Sequence, residues 1–162
     1  MLLDTPDLGD YREVMAVLAA SIQNVLTKSP GCYVCGPKNS AGLGIHFGHT
    51  APFTAEARTI ARREHEGWNG ILHGGITFTL MDEAFGWCLH FEGIQAVTAK
   101  VETRFLRPVP TDSVLCVRAW VTQDRGRVVY ASAEVISGDR ETVFAEATAT
   151  MMRVRSGAEN KR

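Results

Sequence analysis

The chain has 162 residues, enough for one domain with a sizeable core. Seventeen basic residues stand against eighteen acidic ones, for a formal net charge of −1, which argues against a dedicated nucleic-acid binder. No apolar run is long enough to span a membrane, and the four cysteines are too few and too irregularly placed for a disulfide scaffold.

The first residues lack the basic and apolar regions of a signal peptide, so the expected setting is a reducing cytoplasm. Asp10 and Glu13 have capping-box spacing, with Asp in the place of Ser or Thr. Tyr11, Val14, Met15, Leu18, Ile22, Val25 and Leu26 then recur at helical intervals. The expectation is a helix over 11–27 that stops before Ser29-Pro30-Gly31. A single helix is not a helix-turn-helix, and residues 1–31 read as a helical extension of the main domain.

Cys32-Tyr33-Val34-Cys35 falls in a loop. The pair invites a zinc reading with His46 and His49, but those histidines are too tightly spaced for a finger. No helix begins just after Cys32 to lower its pKa, which weighs against a redox pair. The expectation is two small buried thiols in a packed loop, with no metal and no cofactor. The segment 42–47 reads as a turn into a short strand, and 53–63 as a second strand. His65 to Gly70 reads as a loop rich in functional groups, with Trp68 either a pocket wall or an ordinary surface aromatic.

At His73 the chain changes character. His73-Gly74-Gly75 is a polar turn that runs into the apolar stretch Ile76 to Trp87. The two glycines allow a bend and a close approach of a ligand to the main chain. The first amides of a helix lack intrahelical acceptors and stand at the positive end of its dipole, where a developing oxyanion is stabilised. Asp82 comes seven residues after Gly75, about 10 Å along the axis and nearly on the same face. Phe78, Thr79 and Gly86 share that face. A carboxylate there must be paired, hydrated or used. Donor and carboxylate of one helix are too far apart to serve one carbonyl, whereas two antiparallel copies would bring them together, which points to a symmetric dimer. The alternative is a buried helix whose Asp is held by a neighbouring Arg or hydroxyl. His73 either contacts a ligand or braces the turn, and bracing is the preferred reading.

His-Gly-Gly followed by an apolar helix with Asp nine residues after the His resembles the hotdog-fold acyl-CoA thioesterases. The most similar branch is the phenylacetate-pathway (PaaI-type) group, related to the 4-hydroxybenzoyl-CoA thioesterases. The run from Thr98 to Pro108 also resembles the long strand that follows the helix in that family. The resemblance covers roughly residues 32–155. It implies that the Gly74 amide, aided by Gly75, polarises the thioester carbonyl, and that Asp82 acts as nucleophile or general base. It implies an acyl-CoA substrate, a homodimer or dimer of dimers, and Thr98 at a position where family members can carry a small hydroxyl. Many members carry Asn or Gln six residues before the His. Here that residue is Gly67, and the nearest amide side chain is Asn69. Part of the family also has a Cys-rich lead-in that does not carry the chemistry.

After the helix, expected to end near Glu92-Gly93, four strands are expected at 97–106, 113–123, 128–137 and 142–155. Asp124 to Arg127 and Ser137 to Arg140 read as hairpin turns. The architecture is α+β: one antiparallel sheet wrapped round a central helix, spanning 32–156, with a polar tail from 157. Strict alternation puts Val97, Ala99, Val101 and Phe105 on one face and Thr98, Lys100, Glu102 and Arg104 on the other. Thr98 would then point away from the helix and could reach the site only near a strand end or across the dimer seam. Asn69, Trp68, Thr98, Phe78 and Phe85 are candidate substrate contacts, although helical aromatics are first of all core residues. Acyl-CoA hydration or dehydration by hotdog relatives, and non-catalytic acyl-CoA binding, stand as alternatives to hydrolysis.

Overall fold

The structure, a computed structural model, describes residues 29–154. The expected helix over 11–27 and the tail from 157 lie outside the described residues. Among the described residues one α-helix, α1 (Gly74–His90), runs along a six-stranded antiparallel sheet. The strands are β1 (Gly48–Ala51), β2 (Thr54–Ile60), β5 (Ala96–Phe105), β6 (Val114–Asp124), β7 (Val128–Ser137) and β8 (Val143–Arg153), in the order β1-β2-β6-β7-β8-β5. Two short strands, β3 (Glu66–Trp68) and β4 (Ile71–Leu72), form a separate hairpin just before α1. This is the hotdog arrangement, a helix held in a curved sheet.

The reason lies in the two periodicities. Thr77, Leu80, Met81, Ala84, Phe85, Cys88 and Leu89 are the buried residues of α1, spaced by threes and fours on one stripe. They meet alternate residues of the strands: Leu115, Val117 and Ala119 of β6, Val129, Ala131, Ala133 and Val135 of β7, and Ala145, Ala147, Ala149 and Met151 of β8. The many alanines on the sheet leave room for the thick central helix to sit close.

The four strands after the helix lie where they are expected. The segment before it differs. The strand expected at 42–47 begins only at Gly48, because the amides of Leu43 and Ile45 donate to the carbonyls of Tyr33 and Val34 at 2.7 and 2.8 Å. Those bonds stitch 42–45 to the cysteine loop instead of to the sheet, and they deliver Val34, Leu43 and Ile45 into the core. The stretch expected as the 65–70 loop contains β3. Asn69-Gly70 forms the two-residue turn to β4, with Gly70 at φ 76°. No described helix is long and apolar enough to cross a membrane.

Candidate active site

The start of α1 is built by His73. Its backbone is extended (φ −61°, ψ 131°), and its Nδ1 accepts from the Gly75 amide at 2.8 Å, so the imidazole is the helix N-cap. Its carbonyl takes the amides of Ile76 and Thr77. Three of the first amides are thereby satisfied from one residue. The Gly74 amide makes no hydrogen bond among the described residues, and it stands at the positive helix end. The Gly75 amide is engaged by His73, so of the two glycine amides only that of Gly74 is without a partner among the described residues.

The glycines around this turn are there for space. A Cβ on Gly67 would stand 3.0 Å from His73 Cα and 3.1 Å from its Cδ2. The ring that caps the helix thus lies against Gly67. A Cβ on Gly75 would lie 3.0 Å from His73 Nδ1, crowding the atom its own amide bonds. Gly74 is less confined. A Cβ there would meet the ring of Phe105, itself 58% exposed, at 3.6 Å, which is ordinary contact.

Two turns along α1 is Asp82, half-buried, on the face shared by Gly75, Phe78, Thr79 and Gly86. Among the described residues it makes no ion pair. The Thr98 hydroxyl donates to its Oδ1 at 2.8 Å. This overturns the expectation that Thr98 points away from the helix. The cause is a β-bulge: Thr98 pairs with Met151 and Lys100 with Thr150, which leaves Ala99 as an extra residue. The extra residue restarts the alternation. Thr98 then shares a face with Val101, whose partner Ala149 is buried against the helix. A strict period of two cannot show a bulge, and no Gly or Pro in this strand marks one.

The other expected contacts divide. Trp68 is 81% exposed at the end of β3, Asn69 is exposed at the tip of the β3–β4 turn, and Phe78 is exposed on the outer face of α1. Phe85 is fully buried beneath the helix, so it packs the core and the structure does not bring it to substrate. Glu83, one residue past Asp82, turns elsewhere: its Oε1 accepts from the Trp87 indole at 2.9 Å and its Oε2 lies 3.7 Å from Cys32 Sγ. Neither His46 nor His49 belongs to that group. His49 pairs with Glu92 at 3.0 Å and stacks on Phe91. The meeting of Glu83 with the cysteine loop leaves no trace in the sequence, because the partners are some fifty positions apart.

A lone helix-terminal amide and an unpaired, hydroxyl-oriented carboxylate are the two elements that acyl transfer needs. They are separated along one helix by about 12 Å. A fold and a site of this kind define a class, and comparison with known proteins agrees. Residues 69–144 match the family described as the Thioesterase superfamily. The mouse (Mus musculus) protein acyl-coenzyme A thioesterase THEM4 is 33% identical over 119 residues, which is 70% of this chain and 50% of that protein. The chain thus spans about half the length of this curated relative. A variant of the phenylacetic acid degradation protein PaaI from Thermus thermophilus superposes with a TM-score of 0.63 at 28% identity, covering 68% of this chain and 94% of that one. A hypothetical thioesterase from Streptococcus pneumoniae, solved with coenzyme A, shares the fold with a TM-score of 0.65 at 19% identity, over 69% and 87% of the two chains. The chain belongs to the hotdog-fold thioesterase superfamily, in its PaaI-type branch.

Proposed function

We propose that the protein hydrolyses an acyl-CoA thioester to the free acid and CoA, in a site shared by two copies of the chain. The observation that carries this reading is Asp82: half-buried, without an ion pair among the described residues, oriented by Thr98, and on the face of α1 shared with Gly75, next to the Gly74 amide in sequence. The Gly74 amide of one copy hydrogen-bonds the thioester carbonyl and draws charge onto its oxygen. Asp82 of the facing copy either attacks the carbonyl carbon or removes a proton from the attacking water. The carbon–sulfur bond breaks, CoA leaves as the thiolate, and on the nucleophilic route water then cleaves the acyl-aspartyl anhydride. No step requires a metal.

Two features support the dimer. β5 is a ten-residue edge strand with an open hydrogen-bonding side, a liability that a second β5 would remove. Exposed Phe105 and Leu106 at its end, with Phe78 and Trp68 nearby in sequence to the turn, present apolar surface at the Gly74 end of the helix. His73 weighs against a His–carboxylate hydratase, since its Nδ1 is occupied by the Gly75 amide.

A panel of acyl-CoAs of differing length and aromaticity, followed by release of the CoA thiol, tests the reading. Turnover of at least one member is expected. Saturable binding of the panel without thiol release would make the chain a binding module, and a change in enoyl absorbance without thiol release would make it a hydratase.

A further inference from the structure

The cysteine loop holds a constellation that the proposed hydrolysis does not use. Cys32 Sγ, Cys35 Sγ and a Glu83 carboxylate oxygen all lie within 4.8 Å of one another. We propose that Cys32, Cys35 and Glu83 bind a thiophilic divalent cation of the zinc type, with a fourth position left to solvent on the half-buried Cys32 side.

The distances suit it. A sulfur at about 2.3 Å and a carboxylate oxygen at about 2.0 Å from one tetrahedral ion stand roughly 3.5 Å apart. Cys32 Sγ and Glu83 Oε2 are already 3.7 Å apart. The remaining pairs lie within 4.8 Å, so closing the group round an ion asks for ligand-atom shifts on the order of 1 Å. The carboxylate is also pre-set. Trp87 Nε1 holds Oε1 at 2.9 Å, which turns Oε2 to the thiols, and an outer hydrogen bond of this kind fixes a ligating carboxylate.

The loop is shaped to bring the two sulfurs to the same side. The Gly36 amide donates to the Cys32 carbonyl at 3.0 Å, and Lys38 N donates to Pro30 O at 2.9 Å. A Cβ on Gly36 would come within 2.4 Å of Cys32 N, so only glycine closes this knuckle. Two thiolates with one carboxylate prefer zinc to magnesium or calcium, which take all-oxygen shells. Each metal–sulfur bond forms to a thiolate, and any thiol proton displaced on binding goes to solvent. The result is a clasp from the loop to α1 at the residue after Asp82.

The test uses the full chain and does not depend on thioester turnover. Protein stripped with a chelator is titrated with Co2+, and sulfur-to-cobalt charge-transfer absorption in the near ultraviolet is recorded. One equivalent per chain with tetrahedral visible bands is expected. Zn2+ should displace it and protect two of the four cysteines from a thiol reagent. Cys32→Ser with Cys35→Ser should abolish the charge-transfer band, and Trp87→Phe should weaken binding roughly tenfold or more. Absence of that band in the parent chain overturns the proposal whatever the variants do. So does binding that survives in the double serine variant.

Discussion

Asp82 and Glu83 are adjacent carboxylates with different surroundings. Asp82 faces the Thr98 hydroxyl, and Glu83 is held by Trp87 beside Cys32. Asp82→Asn keeps the shape and removes the charge, and the rate of CoA release should fall by about two or more orders of magnitude. Glu83→Gln should be milder in rate. Steady-state assay of both variants checks the assignment, and a normal Asp82→Asn with a dead Glu83→Gln reverses it. Thr98 orients the carboxylate through one hydrogen bond to a charged group, worth about 1.5–3 kcal/mol. Thr98→Ala should therefore cost roughly tenfold in rate, and Thr98→Ser should restore most of it. The buried thiols carry a pH signature. Burial pushes Cys88 up to about 12 and Cys116 to about 11, from an ordinary value of 9.0. A thiol that holds its proton more tightly when folded stabilises the fold below its ordinary pKa, and that stability is lost as pH rises. Denaturant midpoints should hold up to pH 9 and fall between pH 9 and about 12, and Cys88→Ala should flatten part of that fall.

The element that organises the site is α1, and its start depends on an imidazole where a hydroxyl or carboxamide is more usual. The cap explains Gly67 and Gly75 together, since a side chain at either position would press on the His73 ring. His73→Ala removes the acceptor of the Gly75 amide and should cost about 1 kcal/mol of stability. Urea unfolding measures this directly. An unchanged midpoint would mean that the ring braces nothing in solution. The second decisive element is β5. Its bulge after Thr98 turns one exposed hydroxyl towards Asp82 and leaves the remaining ladder to β8 intact through Phe105.

At the scale of the molecule, one copy holds an amide and a carboxylate that do not meet. Activity should therefore follow dimer concentration. Sedimentation at decreasing concentration, run beside the assay, should show specific activity falling as the dimer dissociates. Full activity in a species that sediments as a monomer would remove the shared site. Phe105→Asp, at the end of the edge strand and over Gly74, should shift the population towards monomer.

Much of this was legible in one dimension. Helix α1 and the four strands after it follow from periodicities of 3.6 and 2, which are local properties of the chain. The His-Gly-Gly turn and the two-turn spacing to Asp82 are local too. What the sequence left open depends on contacts between distant segments. Strand alternation placed Thr98 on the wrong face, because a bulge is a property of a pair of strands and is invisible in either one alone. The short strand before β2 came later than periodicity suggested, because the amides of 43 and 45 were claimed by the cysteine loop. The helical aromatics could not be sorted by pattern either: only packing against the sheet sends Phe85 inward and leaves Phe78 outside. Glu83 reached Cys32 and Cys35 only once the loop had docked on the helix, since side chains fifty positions apart share no local signal and meet only when the core between them has formed.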